Sequence, residues 1–481
     1  ILACTDSAIQ HQAMTPITAP VRAPGGIEGA GDAIVVENTA DNNLMLFRFK
    51  HGDVKMQAAE EDFDVGSKHF RAGAFIIAGA DRAKVEADLK NLGLSAWGGA
   101  MPTVKMHDLD IPRIGYVHSW TRTQDEGWVR AALDTYGVPY TYFADQKLRE
   151  GNLRAKYDVI IFPHVGGSAQ SMVNGMPIND TVKLPYKKTP QTPNLGALDQ
   201  TDDIRGGMGL EGLAALQQFV EQGGTLITEG ATSTIFPEYG LTPGITVENP
   251  TGLFARGSIL KGVLTDKMSP IAYGFTNTQM GVYFNQDPVL NAGGGGGAFG
   301  GGRGAGADIS QNFTPMAQKL TLATLGTDST AGGAPAGGGR GGRGGRGGRG
   351  GRGAAAAEGA AGGGAAGGAP DDQGGGGGRG GRGGGVPAAM RPRVVMQFPA
   401  QAGDILLSGT IAGAEGLVNR AQIVDQPMGQ GHVVMFAIRP FWRWQTQGTY
   451  MFGFNAILNW NDLGAGRATP AARADGSQGQ Q

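Results

Sequence analysis

The chain has 481 residues, and its 40 basic and 42 acidic side chains nearly cancel, so no global charge draws it to nucleic acid or a membrane surface. A single cysteine, Cys4, excludes an internal disulfide framework and any multi-cysteine zinc site. No apolar run approaches the roughly 20 residues of a membrane span, and setting aside the two glycine-rich tracts (293–306 and about 331–389) leaves roughly 390 residues, enough for two cores.

Residues 1–24 are polar and punctuated by proline, and are expected to form a linker. Residues 25–108 read as a small α+β domain. In it "DAIVVEN" and "LMLFRFK" are β-type runs parted by the turn-like "TADNN". "VKMQAAEEDF" is helix-like, and "AGAFIIAGA" is a further strand. "DRAKVEADLKNLGL" predicts a helix capped by Asp81 and stopped by Gly93, with Val85, Leu89 and Leu92 on one face.

A second rhythm spans 109–291 and resumes over 391–462. "PRIGYVHSW" is a strand. Thr123 or Asp125 is expected to cap a helix through "EGWVRAALDTYG", with Gly137 just past its end. "VPYTYFA" follows as a strand and "DQKLREGNLRAKY" as a short helical link. "DVIIFPHVGG" is a continuous apolar run that suits a parallel strand buried on both faces. "GLEGLAALQQFVEQGG" is an amphipathic helix and "TLITEG" a strand. "RVVMQFP", "ILLSGTI" and "GHVVMFAIRPFWRW" are later strands, and "GTYMFGFNAILNW" is a final helix. This order predicts an α/β fold with an open, mostly parallel sheet. Residues 292–390 are expected to be a low-complexity insertion with a short ordered piece near 308–327, and 463–481 a disordered tail.

Several of these segments, in this order, resemble the C-terminal half of large bacterial proteins of the M14 zinc carboxypeptidase family: "PRIGYVHSWTRTQDEGWVRAALDTYGVPYTYF", "GGMGLEGLAALQQFVEQGGTLITEG", "ARGSILKGVLTDKMSPIAYG" and "GHVVMFAIRPFWRWQTQGTYMFGFNAIL". The resemblance implies a flavodoxin-like, class I glutamine amidotransferase-like domain, accessory to a zinc peptidase domain expected upstream of Ile1. It implies zinc in that upstream domain and no cofactor here. It implies that domain as the partner, peptide as the parent's substrate, and a secreted or periplasmic location. None of the seven histidines has Glu three residues on, the spacing an M14 zinc pair needs; "HDLD" offers only His107 and Asp110. An amidotransferase needs a Cys on a strained strand-to-helix turn, but "TLITEGATS" has no thiol, and Ser233 reads better as a helix cap. No catalytic residue and no metal ligand is therefore assigned.

Ligands of doubly wound sheets bind outside the carboxyl ends of the strands. His118, Asp125, Glu126, His164 and Glu229 fall there and are the candidate ligand-binding residues. They could serve as acid and base or hold a cation. Alternatively, Asp125 and Glu126 satisfy amides at a helix N-terminus and the histidines bond loop carbonyls. "RPFWRW" gathers Arg439, Trp442, Arg443 and Trp444, which read as a cover on the core edge or as a docking surface for the peptidase domain. The repeated Gly-Gly-Arg units from Arg340 to Arg352, taken up again at Arg379 and Arg382, are the kind of segment that binds nucleic acid, but no aromatic residue is interleaved, so a disordered surface loop is expected.

Overall fold

The computed structural model describes residues 7–19, 21–122, 125–286, 288–292 and 390–467. The expected ordered piece near 308–327, the glycine-arginine tract, Thr123 and the end of the tail lie outside them.

Residues 26–108 form a six-stranded sheet in the order Gly26–Gly29, Ser95–Gly99, Ala33–Val36, Phe75–Ala78, Met56–Ala59, Met106–Asp108. The helix Arg82–Leu92 starts as its sequence predicts: Asp81 accepts from the amides of Ala83 and Lys84, and Gly93 closes the helix at φ 72°. Two expectations are reversed. "LMLFRFK" is a helix, Asn43–Lys50, because Leu44, Met45, Phe47 and Arg48 bury one helical face. "VKMQAAEEDF" is not helical; Met56–Ala59 is an interior strand paired on both sides. Pairing overrides the helix propensity of Met, Gln and Ala there. The expected linker carries a one-turn helix, Ser7–Gln10.

The larger sheet has twelve strands among the described residues, nine of them on one path: β1 (Ile114–His118), β2 (Thr141–Ala144), β3 (Val159–Phe162), β4 (Thr225–Glu229), β5 (Ser258–Leu264), β6 (Gln279–Phe284), β7 (Arg393–Gln397), β8 (Ala421–Met428) and β9 (Gly431–Phe436); Thr246–Glu248, Val289–Asn291 and Leu406–Ser408 pair off that path. The order along the path is β2-β1-β3-β4-β9-β8-β7-β5-β6. The first five strands are all parallel. Read along the chain they follow the order 2-1-3-4-5, one of the two common doubly wound arrangements. Beyond β9 every pairing is antiparallel, so the sheet is mixed rather than mostly parallel.

Alternate residues of the parallel strands enter two cores. Tyr116, Ile161, Ile227 and Val434 face one core, shared with α1 (Glu126–Thr135), the last helix α3 (Gln447–Leu458) and the smaller sheet. Val117, Ile160, Leu226 and Val433 face the other, packed on α2 (Gly209–Glu221). β3 is thus buried on both faces, as its unbroken apolar run predicts. The smaller sheet is joined to this body by polar contacts as well as by the shared core. His107 Nε2 bonds Asn459 Oδ1 at 2.8 Å, and Asn461 and Trp460 both donate to Asp110.

Leu463 is fully buried, and Arg393 and Arg467 hold the segment that follows: Arg393 donates to the Ala465 carbonyl and Arg467 pairs with Asp425. The expected disordered tail therefore does not begin at Leu463; residues 463–467 are held.

Candidate functional site

Because the five strands are parallel, their carboxyl ends share one edge. Along it stand His118 at the end of β1, His164 two residues past β3, Glu229 at the end of β4 and Arg439 three residues past β9. α1 starts at the same edge and supplies Asp125 and Glu126. The five sequence candidates all arrive here but divide into two groups, because the neighbours Asp125 and Glu126 turn in opposite directions.

Asp125, His164, Glu229 and Arg439 form a buried cluster at the ends of β3, β4 and β9. Asp125 Oδ2 lies 2.8 Å from Arg439 Nη1, and both side chains are about 7% exposed. This overturns the expected cap: Asp125 has helical backbone angles and makes no capping bond, because the buried guanidinium claims its carboxylate. Burial is the largest influence on Asp125 and raises its pKa, with Arg439 opposing. Glu229 is pushed up to about 8, first by burial and then by the charge of Asp125, against the pull of Arg439. One guanidinium thus serves two carboxyl groups.

The expected bond from a histidine to a loop carbonyl holds for His118, whose Nδ1 lies 3.5 Å from the Ser119 carbonyl, and is replaced at His164. His164 Nδ1 accepts from the amide of Ala231 at 2.9 Å, and its Nε2 lies 2.9 Å from Arg439 Nη2. Burial, then the Arg439 charge, lowers its pKa to about 3, so the ring is neutral. A neutral imidazole with Nδ1 accepting must carry its proton on Nε2. Its contact with Arg439 is therefore donor against donor, and Asp125 is what holds the arginine.

The second group lines an open cleft of about 350 Å³ beside β1 and β2. His118 Nε2 is 3.0 Å from Asp199 Oδ2, with both side chains buried, and the His118 ring stacks on Tyr142 at 4.3 Å. Asp199 also receives Lys147 Nζ at 2.8 Å and the Ala144 amide at 2.8 Å. These donors hold its carboxyl below the usual range against the cost of burial. Glu126 Oε1 accepts from the Tyr142 hydroxyl at 2.6 Å and lies 3.5 Å from Arg130 Nη1. Next along the edge, burial raises the Asp145 carboxyl to about 7 beside Ser119.

Asp199, Tyr186 and Asn194 come from residues 175–208, a connection with no helix or strand. Sequence reasoning missed all three. The available signal was length, since a connection this long is usually functional. Arg439 was legible only as part of an aromatic-arginine cluster, not as the partner of Asp125. That cluster does cover the core edge: Trp442 stacks on Tyr283 at 4.5 Å, and Arg439 lies 5.1 Å from the Trp442 ring centroid.

The corner after β4 decides the chemistry available. Gly230 sits at φ 59°, the left-handed position in which a strand-to-helix turn would present a nucleophile. A Cβ there would fall 2.4 Å from His164 Nδ1. The Ala231 amide, placed to stabilise an oxyanion in such a turn, is taken by the same histidine. Ser233 is not a cap; it is buried within the 3-10 turn Gly230–Thr234 and donates to the Phe436 carbonyl. Among the described residues, no three His, Cys, Asp or Glu side chains are grouped as a metal site.

No family model matches the chain, and no curated protein matches it. Solved structures give distant likenesses. A cytoplasmic protein from Salmonella typhimurium is 11% identical, with 73% of this chain and 98% of that one covered at a TM-score of 0.30. A ThuA-like protein from Bacteroides uniformis is 8% identical, covering 73% and 90% at 0.31. β-Galactosidase from Bacillus circulans sp. alkalophilus is 11% identical, covering 72% and 30% at 0.29. Scores this low carry no argument, and the α/β assignment rests on the strand order itself.

Proposed function

We propose that this chain is a non-catalytic accessory region of an M14-type zinc carboxypeptidase, and that its larger sheet is a flavodoxin-like, class I glutamine amidotransferase-like shell that holds a ligand without transforming it. The observation that carries the non-catalytic reading is the corner after β4. Its left-handed residue is Gly230, which has no side chain, and the next amide is already bonded to His164. A thiol is needed there for amide transfer, and none is present. What supports the M14 connection is the sequence resemblance, which implies that the zinc and the peptide-cleaving groups would lie in an upstream domain of the same polypeptide.

The test compares this chain with the full reading frame that contains it. Both are assayed for release of C-terminal amino acids from peptides and of ammonia from glutamine. The full product should release amino acids until zinc is chelated, whereas this chain should do neither. Glu126→Gln in the full product should change turnover far less than loss of a zinc ligand. Ammonia or amino-acid release by this chain alone overturns the proposal.

A second reading, in which the α/β unit has its own hydrolase site, is favoured by the His118–Asp199 pair, a histidine oriented by a buried carboxylate. Against it, the nearest polar partner of His118 Nδ1 is the Ser119 carbonyl at 3.5 Å, not a hydroxyl or thiol.

A further inference from the structure

The cleft beside β1 and β2 is built differently from the buried cluster next to it. One wall is aromatic. The rings of Trp120 and Tyr186 stand 5.0 Å apart at 49°, and Tyr186 is 37% exposed at the mouth. Trp120 Nε1 donates to Gln146 Oε1 at 3.1 Å, so the indole is oriented before any ligand arrives. Tyr142 is not free to receive a ligand, being covered by the His118 ring and the Arg130 guanidinium. The lining also includes the polar side chains of Ser119, Glu126, Arg130 and Asn194. Both side-chain bonds of Glu126 fall on Oε1, leaving Oε2 without a partner among the described residues.

The charges on these walls are already matched. Glu126 is paired with Arg130, and Asp199 with Lys147 and His118. A charged ligand would have to break one of those pairs and leave an ion uncompensated. A neutral ligand with one flat apolar face and several hydroxyl groups fits without doing so. Its ring hydrogens would lie on Trp120 and Tyr186, and its hydroxyls would meet Glu126 Oε2, Asn194 and Ser119. The volume of about 350 Å³ lies within the range of small-molecule sites.

We propose that this cleft binds a neutral sugar unit, closed in by residues 175–208. The proposal rests on reading the edge of the sheet as a binding site rather than a reacting one.

Calorimetric titration of the whole chain with glucose, galactose, N-acetylglucosamine, maltose and lactose tests it. Each sugar is taken to roughly 10 mM, tenfold above a 1 mM Kd. At least one sugar should saturate. Binding should weaken at least tenfold in Trp120→Ala and Tyr186→Ala, and persist in Tyr186→Phe, which keeps the ring. Tyr186 lies at the mouth, so its two variants decide the matter if Trp120→Ala does not fold. Absence of saturation by every sugar, saturation by choline or phosphate instead, or full binding in folded Tyr186→Ala overturns the proposal. Chromatography of the disaccharides after titration separates the two claims: cleaved maltose or lactose would refute the non-catalytic reading and leave sugar binding standing.

Discussion

Arg439 is the residue on which the buried cluster turns, since it pairs with Asp125 and also opposes the burial that raises Glu229. The pH dependence follows. Glu229 titrates near its ordinary 4.5 when unfolded and at about 8 when folded. Over that interval the folded chain binds more protons than the unfolded one, so stability falls as pH rises. The contribution is complete below about pH 4.5 and is lost as pH passes about 8, on the order of a few kcal/mol in all. Glu229→Gln keeps the shape and cannot ionise. Its melting temperature should fall less than that of the parent chain between pH 5 and pH 8.5. Parallel melting curves for the two proteins across that range would refute the assignment of Glu229 as a buried neutral acid. At this scale the sequence was informative about place and silent about partner. His118, His164 and Glu229 were legible because each ends or follows an apolar run. Their bonds were not, because His164 and Arg439 are 275 residues apart in the chain.

Elements were legible where local and long-range forces agree. Arg82–Leu92 carries its own cap and stop, and β3 its own apolar run. Asn43–Lys50 and Met56–Ala59 exchanged their expected types because burial and pairing, set by distant strands, outweighed propensity. The corner after β4 is a case where one residue sets the shape of an element. Gly230→Ala adds a Cβ in a left-handed position and against His164. It should lower the melting temperature by several degrees, on the order of 1–3 kcal/mol. Combined with His164→Ala, the loss should be smaller than the sum of the two single losses, because the collision is gone. Strict additivity in that double-mutant cycle would mean that the ring and the glycine are not coupled.

At the scale of the molecule, the doubly wound order could be anticipated from the alternation of strands and helices over 109–291, but the antiparallel extension could not. The partners of β5, β6, β7 and β8 lie far apart in the chain and are set by contacts the local pattern does not encode. Nor did the sequence show how closely the smaller sheet shares a core with the larger one. Residues 331–389 contain, apart from prolines, no aliphatic side chain larger than alanine except Val386. Deleting them should shift the melting temperature by less than about 3 °C, which for a chain of this size is no more than roughly 1 kcal/mol. A larger fall would show that the tract contributes packing.

The place of β9 in the sheet has a consequence for how the protein is made. Last in chain order among the described strands, it lies between β4 and β8, with parallel pairing on one side and antiparallel on the other. A nascent chain that has not yet reached Gly431 therefore holds two sheet fragments with facing unpaired edges, the condition that invites association with other chains. The central gap is filled only once Gly431–Phe436 has emerged, so the sheet cannot be completed strand by strand behind the ribosome. A chain truncated before Gly431 would therefore yield an aggregating product rather than a smaller folded one.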